Sequence, residues 1–344
     1  MASRIQKNDS AFSRLLRDKP EVSLDDLNLI LEKHSLGTAR KHETIYGNFI
    51  NANYLIETSQ GEFILKIQFR EGEHSIKVEH DVTHMLHAKT QLPVCEFCRL
   101  DEDRDVIPSP YLLVNKLPGE LGRRAFERTD RSGRRQLSRE LGATLGEIHR
   151  QDVTALQNLP SLDLRAWRGL LDDLLGDGEI NRAIAEILPG FDDALSERLQ
   201  SVGNVEYKPA PVLLWRDAFF YNLLVTERES GFELTGVYDF QSAAYGSRDL
   251  DIADIENGFR SQSRRPNAQN PKAYQDDQSL KEVREGYAET SGSVLTTNPM
   301  QEAIVGLVRS AHLVWYYWDA LGVLHPTTPS LLDGIIDRLD SLSR

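Results

Sequence analysis

Apolar residues recur at helical spacing over SLDDLNLILEKHSL, residues 23–36, and give way to near-strict alternation over residues 44–69, TIYGNFINANYLIETSQGEFILKIQF. The first pattern predicts an amphipathic helix. Ser23 caps it, Asp26 stands three residues on, and Gly37 ends it. The second predicts two or three antiparallel strands, with NYLIE and EFILKI joined as a hairpin at the SQG turn. Helical spacing returns in HSIKVEHDVTHMLHAKTQ through Ile76, Val82, Met85 and Leu86, and stops before LPV. Strands around 94–99 and 110–116 complete a small sheet.

Beyond LPGEL, residues 117–121, the pattern is mostly helical. RRQLSRELGATLGEIHRQD aligns Leu137, Leu141, Leu145 and Ile148 on one face, and residues 161–201 supply more helix. VLLWRD and NLLVTE read as a short hairpin, followed by a strand at 234–240. The polar, Pro/Asn/Gln/Arg-rich residues 260–279 read as a mobile loop. An aromatic-rich helix follows, whose Trp315, Tyr316, Tyr317 and Trp318 read as packing residues rather than a ligand cage. The order implies an α+β, two-lobed plan: residues 1–116 form a helix and small antiparallel sheet, and 117–344 a mainly helical lobe.

Composition narrows the function. Hydrophobic residues are 40% and charged residues 27% of the chain, ordinary for a globular enzyme. A formal charge of −13 argues against nucleic-acid binding, which needs a basic stripe. No apolar run approaches the roughly 18 residues that cross a bilayer, and the polar N-terminus lacks a signal-peptide core, so a cytoplasmic protein with no membrane partner is expected. Cys95 and Cys98, the only cysteines, read as packed thiols rather than half a zinc site, since no second pair follows.

The candidate chemistry lies in four pieces. YGNFINANY is a turn between strands whose backbone amides could cover phosphates, although one glycine is a weak signal and the P-loop pattern is absent. Lys66 sits in the strand EFILKI, and Glu79 on the helix that follows. A strand lysine facing a glutamate on the next helix is how protein kinases hold the α- and β-phosphates of ATP. LLWRDAFFYNLLV then keeps Asp217 and Asn222 five residues apart in an apolar run, and Asp239 follows in VYDFQ. An Asp–Asn pair can be an ordinary turn. Together with Lys66, Glu79 and Asp239, however, it supplies what phosphoryl transfer needs: a carboxylate near the attacking hydroxyl, and oxygen ligands for a magnesium ion that keeps most of its waters.

On these residues, from roughly 23 to 325, the chain resembles the aminoglycoside phosphotransferase-like kinases, which include choline, homoserine, macrolide and fructosamine kinases and share the protein-kinase-like fold. The resemblance implies Lys66 as the phosphate lysine and Glu79 as its partner. YLLVNKLPGEL is similar to the hinge, where backbone near Asn115–Leu117 would meet adenine. LGATLGEIHRQD resembles the family's L-x-x-L-H helix, with His149 as a packed structural residue rather than a catalyst. WRDAFFYN is similar to H-G-D-x-x-x-x-N, implying Asp217 as the catalytic carboxylate and Asn222 as a magnesium ligand. VYDFQSAAYGSRDLDIA implies Asp239 as a second magnesium ligand and Asp251 as a brace for the catalytic loop.

The chain departs from the family in three places. Trp215 and Arg216 replace the motif's histidine and glycine, and Gln241 stands where the D-F-G glycine would be. AFFY between Asp217 and Asn222 implies tight packing or an apolar wall near the acceptor. The expected activity is ATP- and magnesium-dependent phosphorylation of a small-molecule hydroxyl. The acceptor is an aminoglycoside-type antibiotic, an amino alcohol such as homoserine or choline, or a peptide or macrolide natural product. Arg260, Arg264 and Arg265 would contact an anionic acceptor or stay solvated. A nucleotide-binding pseudokinase is the alternative from another class. A kinase of folded proteins is disfavoured because no A-P-E segment follows Asp239.

Overall fold

The computed structural model describes residues 21–45, 51–69, 75–203, 207, 210–264, 270–293, 299–325 and 327–343. Helix α1, Leu24–Lys33, starts on Ser23, whose side chain accepts the Asp26 N–H at 3.1 Å. It ends earlier than its apolar pattern suggested, because Ser35 turns left-handed at φ 58°. Strands β1 (Lys41–Ile45), β2 (Asn51–Thr58) and β3 (Gly61–Gln68) run antiparallel, with β2 and β3 joined as a hairpin at the expected SQG turn. Next come α2 (Ile76–Lys89), β4 (Cys98–Asp101) and β5 (Tyr111–Asn115), and the sheet order is β1-β2-β3-β5-β4. β4 begins later than the 94–99 expected, because residues from Cys98 onward are those in register with β5.

The two faces of this sheet do different jobs, because successive strand residues point to opposite sides. Ala52, Tyr54, Ile56, Phe63, Leu65 and Ile67 pack against Leu27, Ile30 and Leu31 of α1. Asn53 and Lys66, cross-strand partners, belong to the other face. The hydrophobic contact with α1 thus fixes the strand register, and register decides where Lys66 points.

The second part opens with β6 (Glu120–Leu121), α3 (Gly122–Arg128) and α4 (Arg131–His149), which buries the predicted Leu137, Leu141, Leu145 and Ile148. It continues through β7 (Ser161–Leu162), α5 (Trp167–Leu175), α6 (Gly178–Ile187), α7 (Phe191–Ser201), β8 (Pro211–Leu214), β9 (Leu223–Arg228), β10 (Gly231–Val237) and β11 (Ala244–Ser247). Helices α8 (Asp249–Arg264), α9 (Asp277–Ser291), α10 (Pro299–Leu321) and α11 (Thr328–Leu342) complete it.

Two expectations are corrected here. β8 and β9 do not pair with each other: β8 pairs with β11, and β9 with β10 and β6. Residues 260–279 are not one loop, since α8 extends to Arg264, a 3-10 turn spans Pro271–Gln275, and Asp276 caps α9 by accepting the Gln278 N–H. Arg265 and the YGNFI part of the predicted phosphate turn, residues 46–50, lie outside the described residues. The four aromatic residues of α10 are half-buried, with Trp315 and Trp318 packed on the second core. Among the described residues, no helix is long and apolar enough to cross a membrane.

Candidate active site

Strand alternation and one helical turn bring the first pair together. Lys66 leaves β3 on the face away from α1, and Glu79 lies on the buried face of α2 beside Val82 and Thr83. The Lys66 ammonium donates to Glu79 Oε1 at 2.5 Å and to Asp239 Oδ1 at 3.3 Å. Burial alone would lower the Lys66 pKa, but the Asp239 and Glu79 carboxylates outweigh it and hold the ammonium charged. Three residues from β3, α2 and the segment after β10 thus meet at one buried charge cluster.

Asp239 itself sits in the left-handed region at φ 66°, a conformation Asp tolerates better than most side chains. Its carbonyl accepts the Trp215 indole N–H at 3.2 Å, and the Trp215 ring lies 5.4 Å from that of Phe240. Trp215 is fully buried. In place of the motif's histidine, therefore, a packed tryptophan ties the 215–222 loop to the segment carrying Asp239. Gln241 is equally well used: its Oε1 accepts from Asn51 of β2 at 2.5 Å, and its carbonyl accepts the Ser75 N–H at 3.0 Å. The side chain standing in for the D-F-G glycine latches the two parts of the molecule together.

The loop is held from below by Asp251, in the first turn of α8 and wholly buried. Its two oxygens accept the backbone N–H groups of Trp215 and Arg216, both at 2.7 Å. His149 Nε2 lies 3.0 Å from Asp251 Oδ2, and Nδ1 lies 3.0 Å from the Tyr287 hydroxyl. A carboxylate only accepts, so Nε2 donates to Asp251, while Nδ1 shares a hydrogen bond with the Tyr287 hydroxyl. His149 is a spacer between helices, two bonds removed from the loop's chemistry. Arg216 takes φ 70° where the motif has glycine. Its backbone is pinned by Asp251 and its guanidinium by Asp254 at 3.2 Å, which together offset the roughly 1–2 kcal/mol that this conformation costs.

Asp217 emerges from this frame half-buried at the edge of a cleft of about 750 Å³. Asn222 Nδ2 donates to Asp217 Oδ2 at 2.9 Å and to its carbonyl at 2.9 Å. The Tyr221 hydroxyl donates to Oδ1 at 2.6 Å. Burial and the nearby Asp239 charge push the Asp217 pKa up to about 6, while the Tyr221 and Asn222 hydrogen bonds restrain the rise. Tyr221 is a site residue that sequence reasoning missed. The aromatic run AFFY hid it, for Phe219 and Phe220 are buried against Phe126, Phe259 and Tyr274, as packing would require. The signal was the lone hydroxyl in that run.

At the other end, Asn115 closes β5. Its N–H donates to the Phe97 carbonyl at 3.1 Å, and its Oδ1 accepts the Phe97 N–H at 2.9 Å. Leu117 packs on the cluster of Ile76, Cys95, Cys98, Leu112 and Val114. Both cysteines are free thiols; burial pushes the Cys95 pKa up to about 12, which makes it a packing group.

A buried lysine–glutamate pair, an Asp–Asn loop braced by a later aspartate and a cleft beside Asp217 are now all in place. The family model of the phosphotransferase enzyme family matches residues 41–288, a span that contains the lysine–glutamate pair, the Asp–Asn loop and its brace. The chain belongs to that family. No curated protein matches it in sequence. Solved structures share the kinase-like fold at low identity. The GDP complex of wild-type aminoglycoside 2'-phosphotransferase-IIIa is 15% identical with a TM-score of 0.62, over 94% of this chain and 99% of that one. A putative aminoglycoside phosphotransferase from Ralstonia eutropha JMP134 is 14% identical with a TM-score of 0.62, over 93% and 99%. Spectinomycin phosphotransferase, solved with ADP and spectinomycin, is 12% identical with a TM-score of 0.56, over 94% and 99%. The chain is thus a small-molecule phosphotransferase with a small antiparallel sheet and a mainly helical second part.

Proposed function

We propose that this phosphotransferase moves the γ-phosphate of ATP to a hydroxyl of a small molecule, with magnesium. The observation that carries the reading is the junction of Lys66, Glu79 and Asp239 beside an Asp217 that faces an open cleft. Lys66, fixed by Glu79, grips the α- and β-phosphates. The Asn115 N–H is spent on Phe97, so the backbone at Leu117 is the adenine donor we assign, above the apolar cluster it packs on. We take the 116/117 step as the lobe boundary. The nucleotide complexes of the related folds, GDP and ADP among them, are consistent with this.

The donor set suits magnesium. The Asn222 amide nitrogen is committed to Asp217, which leaves its oxygen as the ligand, and Asp239 adds a carboxylate; both are hard oxygen donors. When bound, the ion neutralises charge on the β- and γ-phosphate oxygens. Asp217 orients the acceptor hydroxyl. The hydroxyl oxygen bonds to the γ-phosphorus, the bond to the β–γ bridging oxygen breaks, ADP leaves, and the hydroxyl proton passes late to Asp217.

A base with a pKa near 6 must lose its proton first, so kcat/KM rises with pH through about 6 and then levels. Tyr221 stabilises the charged carboxylate, so Tyr221→Phe moves this acid limb up by about one pH unit. An unchanged limb would remove Tyr221 from the account. The test of the activity is magnesium-dependent ADP release over a panel of amino alcohols, sugars, hydroxy acids, aminoglycosides and macrolides, with Asp217→Ala as background. Acceptor-dependent release that vanishes in the variant supports the reading; release that persists in the variant contradicts it.

A further inference from the structure

The cleft beside Asp217 carries a charge pattern that the transfer chemistry does not use. It runs between α8, α10 and α11, and four arginines line it: Arg216, Arg260, Arg309 and Arg338. Two are spoken for, since Arg216 and Arg309 both engage the buried Asp254. Arg260 lies 3.7 Å from Glu256, a carboxylate that Arg284 also engages. Arg338 differs. Its Nη1 donates to the Gly334 carbonyl of its own helix at 2.8 Å, and among the described residues no carboxylate comes within ion-pairing distance of it.

This guanidinium is held rather than free. It lies across α10 at Gly306, where a Cβ would collide with it, so the absence of a side chain at Gly306 makes its seat. Burial draws the Arg338 pKa below the ordinary arginine value, and the Arg260 charge draws it further, only partly offset by Asp337. Two guanidinium groups therefore feel one another across the cleft wall. A fixed, half-buried cation with no carboxylate partner among the described residues is preorganised for an anion, with a fork geometry that matches carboxylate or phosphate oxygens.

The carboxylates of the cleft point the same way. Asp254 is engaged by Arg216 and Arg309, Glu256 by Arg284, and Asp249 accepts the Tyr207 hydroxyl. Asp217 is kept for the reacting hydroxyl, and Glu302, exposed in the first turn of α10, is the remaining carboxylate of the lining. A polycationic amino sugar entering here would find Asp249, Asp254 and Glu256 already engaged and would meet Arg260 and Arg338. We propose that the acceptor carries, besides its hydroxyl, an anionic oxyacid group, a carboxylate or a phosphate, which Arg338 and Arg260 hold while the hydroxyl reaches Asp217. This rests on the kinase reading above and narrows its acceptor to hydroxy acids, amino-hydroxy acids or phosphorylated alcohols, against an aminoglycoside.

The experiment is calorimetric titration with inorganic phosphate and with D-glycerate, after the nucleotide site is filled with magnesium and a non-hydrolysable ATP analogue. Wild type binds at least one of the two anions. Arg338→Gln and the exposed Arg260→Gln each weaken that binding about ten-fold, and Arg338→Lys falls between. Tighter phosphate than glycerate assigns a phosphorylated acceptor, and the reverse a hydroxy acid. Equal anion binding in wild type and both glutamine variants, or no anion binding by wild type, overturns the proposal. So does phosphorylation of kanamycin with a KM indifferent to Arg338→Gln. The nucleotide titration that precedes each run checks the fold of each variant and tests the kinase reading on its own. Failure of wild type to bind the nucleotide sinks the kinase reading and this inference with it, whereas nucleotide binding with an anion response indifferent to Arg338→Gln sinks this inference alone.

Discussion

Asp217→Asn is expected to lower kcat by two to four orders of magnitude, the usual range for losing a positioned base, while magnesium–ATP binds within about twofold of wild type. The substitution is structurally mild. The new amide can turn its oxygen to the Asn222 donor and its nitrogen to Tyr221, whose hydroxyl accepts as readily as it donates. The loss then isolates the proton acceptor. Stability is expected to move the other way. In the folded chain the carboxyl holds its proton up to about pH 6, against the ordinary 3.8. The cost of charging it therefore appears as pH rises past 3.8 and is fully present above about 6. Asn carries no charge, so at pH 7 the variant should melt at or above the wild-type temperature. Near-native turnover would remove Asp217 from the catalytic role, and a lower melting temperature would contradict the strained-carboxylate account.

Asp251→Asn should do the opposite, harming the fold and the rate together. Asp251 accepts from the Trp215 and Arg216 amides and from His149, all as a buried acceptor. An asparagine must turn its NH2 group toward one of these donors and leave it unpaired, which costs about 1–3 kcal/mol for each buried group so stranded. The same change loosens the turn that holds Arg216 at φ 70° and aims Asp217. A displacement of about 1 Å there costs on the order of a hundredfold in rate. Melting and kcat measured on one preparation check this. His149→Gln, which can still donate to Asp251, should be milder in both. If Asp251→Asn kept native stability and rate, the brace would be idle.

Much of this frame was legible in the sequence, where local periodicity carried it. The α1 and α4 stripes, the β2–β3 hairpin and the strand position of Lys66 all follow from spacing and turn residues within about 20 positions. What failed was non-local. β8 and β9 stand eight residues apart and look like a hairpin, yet β8 finds its partner in β11, where Leu214 pairs with Ala244, a contact that no local pattern announces. The Asp276 cap of α9 was readable, but the polar stretch before it outweighed the signal. In the site, charge-bearing positions could be named from motif order. The partners that the departures found could not: the Trp215 indole on the Asp239 carbonyl, Gln241 on Asn51, and Arg216 on Asp254. Each joins segments with no shared local pattern.

The central claim is a division of labour, with Lys66, Asn222 and Asp239 serving the nucleotide and Asp217 serving the hydroxyl. Calorimetric titration of ATP with and without magnesium, across wild type, Lys66→Met, Asp239→Asn and Asp217→Asn, tests it most directly. The account predicts that Lys66→Met weakens binding in both conditions, by about tenfold or more. Asp239→Asn should abolish most of the gain that magnesium brings, and Asp217→Asn should bind like wild type. Equal loss in Asp217→Asn, or magnesium dependence that survives Asp239→Asn untouched, would contradict it.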